Sequence, residues 1–131
     1  IYNFGLNLGL AFQLQDDYLD SFGDTSTFGK KVGNDILTNK KTYLMITALE
    51  ESDSENKKQL LSLLGEVKIS PDEKVKKVLD IYRQCGADEK TQAKIDYFFN
   101  LAGENLNAIK VSDDKKAALT EFSDMLMNRK H

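Results

Sequence analysis

Apolar residues recur at three- and four-residue spacing along most of this chain, and no segment alternates apolar and polar residues as a half-buried strand would. This pattern predicts helices throughout. The first helix is predicted to run to about Phe22, where Gly23 provides a C-terminal stop. Its apolar positions are Phe4, Leu8, Ala11, Phe12 and Leu19.

Two further helices are predicted in the region that follows a glycine-rich loop at 23–34. The first of them covers about Asp35 to Ser52, and a shorter one covers 55–64, with Ser54 as its cap and Gly65 as its end. The positions predicted to face a core are Ile36, Tyr43, Leu44, Ile46, Thr47, Leu49, Leu60, Leu61, Leu63 and Leu64.

The segment Ser70-Pro71-Asp72-Glu73 is a strong helix-start signal, because it combines a serine cap, proline at the first helical position and glutamate at the third. The helix that it opens is predicted to run to about Cys85, with Gly86 as its stop. The apolar positions of this helix are Val75, Val78, Leu79 and Tyr82.

The C-terminal third of the chain is predicted to form two helices. A long one begins at Ala87 or Asp88 and ends near Ile109, and Ser112 caps the last one. Their inward positions are predicted to be Ala93, Phe98, Leu101, Ala102, Leu106, Ile109, Ala118, Leu119, Phe122, Met125 and Leu126. The fold class is therefore all-α, an antiparallel helical array that forms one region over 1–131.

Composition narrows the chemistry that the chain can perform. Its 131 residues carry a net charge of −3 and no basic stripe, which argues against nucleic acid as a partner. No apolar run approaches the length of a membrane-spanning helix. The single cysteine excludes an intrachain disulfide and favours a reducing, cytoplasmic compartment. The only histidine is the last residue, so histidine-based metal sites and serine triads are not expected.

Three aspartates stand at the end of the otherwise apolar first helix: Asp16, Asp17 and Asp20. Residues four apart share a helix face, so Asp16 and Asp20 are expected to converge, with Asp17 beside them. Converging carboxylates repel unless a cation lies between them. Magnesium commonly binds one or two carboxylates together with substrate phosphates. The three aspartates are therefore candidate magnesium ligands, and diphosphate chemistry is the predicted function.

Other polar residues near these aspartates suit the same ligand. Gln13 lies one turn upstream and could donate to a phosphate or a water. Downstream, Lys30 and Lys40 are suited to neutralise diphosphate oxygens, with Asp35 between them in the sequence. An EF-hand calcium loop is excluded, since its ligands alternate at positions 1, 3 and 5 of the loop.

The segment from Gly9 to Asp20, GLAFQLQDDYLD, resembles the second aspartate-rich motif of the trans-type polyprenyl diphosphate synthases, such as farnesyl and geranylgeranyl diphosphate synthases. The resemblance continues through Gly29-Lys30, Gly33-Asn34-Asp35 and Asn39-Lys40-Lys41-Thr42. Members of this family have an all-helical isoprenoid synthase fold. They condense an allylic diphosphate head to tail with isopentenyl diphosphate, using magnesium.

The resemblance implies a role for each candidate residue. Asp16 would be the principal magnesium ligand, with Asp17 and Asp20 supporting it directly or through waters. The allylic diphosphate would be bound by Lys30 and Lys40, with two further residues in the same shell. Those two residues are Gln13 and Asp35. All of these side chains come from one end of the first helix and the segment that follows it.

The family's first aspartate-rich motif does not occur in these 131 residues, which also begin without a methionine or a helix cap. We therefore expect the C-terminal portion of a synthase, inactive alone, with isopentenyl and allylic diphosphates as substrates of the whole enzyme. An exposed apolar side of the first helix would favour a homodimer or a swapped oligomer. The alternatives are a non-catalytic diphosphate-binding or partner-subunit module and, more weakly, a terpene cyclase.

Overall fold

The computed structural model describes residues 1–23, 33–65 and 68–128, and within these ranges every regular element is an α-helix, as predicted. In chain order the helices are α1 (Tyr2–Phe22), α2 (Asn34–Leu37), α3 (Tyr43–Glu51), α4 (Ser54–Leu64), α5 (Pro71–Cys85), α6 (Ala87–Ala108) and α7 (Asp113–Asn128). None of the helices in the described ranges is long and apolar enough to cross a membrane.

Most predicted helix ends are confirmed, because their signals act locally. The Ser70 side chain accepts a hydrogen bond from the backbone N–H of Glu73, with Pro71 in the first turn of α5. Gly86 ends that helix in the left-handed region, with φ of 77°. The Ser112 hydroxyl likewise accepts from the Lys115 N–H at the start of α7.

The single helix predicted over 35–52 is wrong. The chain forms the short α2, turns at 38–42 and only then enters α3. Asn39 lies in the left-handed region, with φ of 55°, which interrupts the helix. Thr42 then caps α3, its side chain accepting a hydrogen bond from the Met45 N–H at 3.2 Å. The next cap is also shifted by one residue, since Asp53 rather than Ser54 caps α4.

Two apolar clusters hold the helices together. The first lies between α2, α3, α4, α5 and the start of α6, and its buried members are Ile36, Leu44, Met45, Ala48, Leu60, Leu63, Val78, Ile81, Tyr82 and Ala87. The second lies between α1, α6 and α7, and its buried members are Phe4, Leu8, Ala11, Ile95, Ala102, Leu106 and Met127. The C-terminal end of α1 meets the first cluster through Phe22, so the two clusters adjoin where the aspartates lie.

Helix α1 makes its most extensive contacts with α6, and the two run antiparallel. Near one end the amide side chains of Asn7 and Asn105 are paired, and near the other Gln92 donates to the Tyr18 hydroxyl. This pairing leaves one side of α1 without a neighbouring helix among the described residues. Its exposed large apolar side chains there are Tyr2, Leu6 and Leu10, spaced four residues apart.

Several predicted core positions are wrong in the described helices. Ala93 is exposed in α6, where Ile95 is buried instead. In α7 the predicted inward residues Phe122 and Met125 are 48% and 66% exposed. Ala118, Ile46 and Leu61 are exposed as well. Each of these helices has apolar residues over more than one face, and periodicity alone does not show which face meets the neighbouring helices.

Candidate functional site

The three aspartates lie in the last two turns of α1 and differ in exposure. Asp16 is exposed, Asp20 is half-buried, and Asp17 is 9% exposed. The helix ends directly after them at Gly23, whose N–H donates to the Leu19 carbonyl. The aspartates therefore stand in the last turns of α1.

Asp17 is held by two of the residues that the sequence singled out. The Lys40 ammonium lies 3.1 Å from Asp17 Oδ1, and Gln13 Nε2 donates to the same oxygen at 3.3 Å. The Asp17 side chain is 12% exposed and that of Lys40 is 49% exposed. The ion pair is thus open to solvent on the lysine side only, where a larger anion could reach the ammonium group.

Asp20 binds backbone groups of the segment that leads into α2. Its Oδ2 accepts a hydrogen bond from the Asp35 N–H at 2.8 Å, and its carbonyl accepts from the Gly33 N–H at 2.6 Å. Gly33 has φ of 99°, and a Cβ built there would lie 2.8 Å from both methyl groups of Val75. Glycine is therefore required at this close approach. These contacts fix Asp35 beside the end of α1.

The turn at 38–42 carries Lys40 to Asp17. The Lys40 N–H donates to the Asp35 carbonyl at 2.9 Å, and the Thr42 N–H donates to the Lys40 carbonyl at 2.9 Å. Sequence reasoning missed this turn and the capping role of Thr42. The available signal was the cap-type residue Thr42 directly before the apolar run that starts at Tyr43.

The charges at this end of α1 act on one another. The pKa of the Asp35 carboxyl is raised by partial burial and by the neighbouring Asp20, Asp17 and Asp16, while Lys40 opposes the shift. The pKa of the Lys40 ammonium is raised chiefly by its hydrogen bond to Asp17. Negative charge is therefore in excess around Asp35, and a bound cation would relieve it.

This donor set fits a magnesium ion that shares its ligands with phosphate. No group of three or more His, Cys, Asp or Glu side chains in the described ranges is placed to hold a metal by itself. Magnesium, however, commonly uses only one or two carboxylates and completes its octahedron with water and phosphate oxygens. Lys30, the second predicted diphosphate ligand, lies outside the described residues.

An apolar strip leads to these charged residues along α1. Tyr2, Leu6 and Leu10 are 76%, 47% and 40% exposed, and Gln13 and Asp17 continue the same helix face toward the C-terminus. A Cβ added at Gly5 or Gly9 would have no neighbouring atom within 4 Å. One face of α1 therefore joins a hydrocarbon-compatible surface to an acidic site with an adjacent lysine.

Comparison with known proteins gives one consistent family. Residues 1–82 match the polyprenyl synthetase family. The chain is 36% identical over 130 residues to a short chain isoprenyl diphosphate synthase of Methanothermobacter thermautotrophicus, covering 98% of this chain and 38% of that relative. It is 38% identical over 110 residues to a geranylgeranyl diphosphate synthase of Saccharolobus solfataricus, covering 84% of this chain and 32% of the relative.

Solved structures show the same likeness. A geranylgeranyl pyrophosphate synthase superposes with a TM-score of 0.86 at 39% identity, over 99% of this chain and 41% of that one. A geranylgeranyl pyrophosphate synthase from Corynebacterium glutamicum, complexed with isoprenyl diphosphate and magnesium, gives 0.85 at 29% identity, over 98% of this chain and 36% of that one. The chain thus spans about two fifths or less of these relatives. It belongs to the polyprenyl synthetase family.

Proposed function

We propose that residues 1–131 form the C-terminal region of a polyprenyl diphosphate synthase and bind the diphosphate of an allylic substrate at the end of α1. Two contacts there carry this proposal. The Lys40 ammonium pairs with the Asp17 carboxylate, and the Asp20 carboxylate accepts a hydrogen bond from the Asp35 backbone N–H. Two segments separated in the sequence are thereby brought into one acidic site with a solvent-facing ammonium group.

In this proposal Asp16 is the principal magnesium ligand of the region, and Asp17 and Asp20 support it directly or through waters. Magnesium, when bound, supplies Lewis acidity that stabilises the departing diphosphate. Lys40 and Lys30 bind diphosphate oxygens as point charges. Gln13 and Asp35 complete the shell. Gln13 orients Asp17 by donating to its carboxylate, and the Asp35 carbonyl holds the turn that bears Lys40 by accepting from the Lys40 N–H.

The apolar strip of α1 suits the hydrocarbon part of the same substrate. Tyr2, Leu6 and Leu10 lie on the face that ends at Gln13 and Asp17, so a diphosphate held at the aspartates would direct its chain along them. In the whole enzyme the reaction is the condensation of an allylic diphosphate with isopentenyl diphosphate, in the cytoplasm. The same exposed strip supports association of isolated chains into a dimer or a swapped oligomer.

A chimera tests the proposed function. The segment of the Methanothermobacter thermautotrophicus relative that this chain matches is replaced by residues 1–131, and the product is assayed with magnesium, isopentenyl diphosphate and an allylic diphosphate. We expect the chimera to form a longer prenyl diphosphate and the isolated 131-residue chain to form none. The second result is expected because the first aspartate-rich motif does not occur in this chain.

The unaltered relative serves as the positive control, and a cooperative thermal transition shows that the chimera has folded. A folded chimera without turnover would favour a non-catalytic diphosphate-binding or partner-subunit module. Turnover by the isolated chain would show that the second motif alone suffices, which would also overturn the proposal that this region supplies only part of the site.

A further inference from the structure

Asn39, directly before Lys40, turns the chain between α2 and α3. Its φ of 55° lies in the left-handed region, which asparagine tolerates better than most residues but which still costs free energy. Its N–H donates to the Ile36 carbonyl at 3.1 Å, so the turn follows directly from the end of α2. The backbone conformation of Asn39 therefore sets the direction in which the chain continues to Lys40.

Both ends of the Asn39 side-chain amide are bound. Nδ2 donates to the Leu64 carbonyl at 3.2 Å, and Oδ1 accepts from the Lys74 ammonium at 2.7 Å. Leu64 is the last residue of α4, where helix carbonyls lack partners within the helix, and Lys74 lies near the start of α5. One side chain thereby joins the 38–42 turn to two helices.

Helix α5 also holds the other end of the segment that bears Lys40. The methyl groups of Val75 lie against Gly33, where a Cβ would be only 2.8 Å from them. Gly33 and Asn39 flank α2, so neighbouring residues of α5 attach the segment before and after this short helix. Lys40 directly follows the second attachment, and its ammonium lies 3.1 Å from Asp17 Oδ1. The position of that ammonium thus depends on the attachment at Asn39.

We propose that Asn39 is a positioning residue of the diphosphate-binding site. Its side-chain amide fixes the 38–42 turn, so that the Lys40 ammonium is presented to Asp17 and to the bound diphosphate. The identity of the ligand rests on the proposed function above, whereas the positioning rests on the two side-chain hydrogen bonds and the left-handed turn. Asn39 is exposed and belongs to neither apolar cluster, so it acts on the turn rather than on the core.

The test is Asn39→Gly in the 131-residue chain, because glycine keeps the left-handed turn and removes both side-chain bonds. NMR-detected hydrogen exchange of the Lys40 and Thr42 amides is expected to become about five-fold faster, the scale of one lost hydrogen bond. Exchange in α6 is expected to stay unchanged. Binding of pyrophosphate with magnesium, measured by calorimetry, should weaken about five-fold as well. In a Lys40→Met background the substitution should cause no further weakening.

Lys74→Met is the second variant, because it breaks the same bridge from α5 and introduces no glycine into the turn. It should also make the amides at 40 and 42 exchange faster. Its control is Lys77→Met, which removes an equal charge from the same helix, where Lys77 pairs with Glu73. That control should leave exchange at 40–42 unchanged. The pair of lysine variants decides the question even if Asn39→Gly does not fold.

Asn56→Ala is the matched control for Asn39→Gly. Asn56 Nδ2 donates to Gln84 Oε1 at 2.9 Å, which is another exposed side-chain bond that reaches α5, but from the start of α4 to the far end of α5. Its loss should leave both the exchange at 40–42 and the affinity for pyrophosphate at wild-type values.

Unchanged exchange at 40–42 in either Asn39→Gly or Lys74→Met would overturn the positioning role. Faster exchange throughout α6 would also overturn it, because that result describes general destabilisation. Equal weakening of pyrophosphate binding with and without Lys40 would show that Asn39 does not act through the lysine. If the wild-type chain binds no pyrophosphate, the proposed function fails, while the exchange measurement still decides whether Asn39 positions the turn.

Discussion

Replacing Asp16 by asparagine is expected to weaken magnesium-dependent binding of pyrophosphate to the 131-residue chain by about 100-fold, or about 2.7 kcal/mol. Asparagine keeps the size of the side chain but removes the negative charge that a magnesium ligand supplies. Because Asp16 is exposed, the melting temperature should change little. Titration calorimetry at fixed magnesium, together with thermal unfolding of the same samples, measures both quantities.

Asp96→Asn provides the control, since Asp96 is an exposed aspartate on α6 that has no assigned role in the site. It makes the same change in net charge and should leave pyrophosphate affinity within about two-fold of wild type, as expected of a screened, exposed charge. Equal losses in the two variants would indicate a general effect of charge. Such a result, or full affinity in Asp16→Asn, would remove Asp16 from the proposed ligand set.

Lys40→Met is expected to change two affinities in opposite directions. In wild type the ammonium lies 3.1 Å from Asp17 Oδ1 and competes there with any other cation, so its removal should strengthen binding of magnesium alone several-fold. With magnesium present, pyrophosphate should bind about 30-fold more weakly, because a charge-assisted hydrogen bond to the anion is lost. Separate titrations with magnesium alone and with magnesium plus pyrophosphate distinguish the two effects.

Lys90→Met is the matched control for that substitution. Lys90 also forms an ion pair, at 2.8 Å from Glu51, but it links α6 to α3 away from the aspartates. It should alter neither affinity. Weaker binding of both ligands to Lys40→Met would mean that the lysine supports the fold of the site, and unchanged pyrophosphate affinity would exclude it as a diphosphate ligand.

The parts of the fold that sequence predicted well are those set by local chemistry. The serine cap and proline of α5 and the left-handed glycine at 86 place helix ends through contacts within a few residues. The acidic end of α1 was also evident, since its spacing follows directly from helix geometry. The sequence predicted that Lys40 and these aspartates serve the same diphosphate ligand, and the structure adds a direct contact between the Lys40 ammonium and the Asp17 carboxylate.

The features that the sequence did not predict depend on contacts between residues that are far apart in the sequence. An apolar pattern continues through 35–52, but Asn39 adopts the left-handed conformation and Thr42 caps a new helix, so the helix divides in two. Similarly, Phe122 and Met125 match the helical period yet are exposed, because α1 and α6 contact another side of α7. Periodicity identifies an apolar face, whereas tertiary packing decides which face is buried.

The central claim is that the end of α1 and the 38–42 turn bind a diphosphate through magnesium. Its most direct test is titration of pyrophosphate into the wild-type 131-residue chain, once with magnesium and once with a chelator in its place. We predict saturable binding at one site in magnesium and little or none in the chelator. Equal binding under both conditions, or no binding under either, would contradict the account.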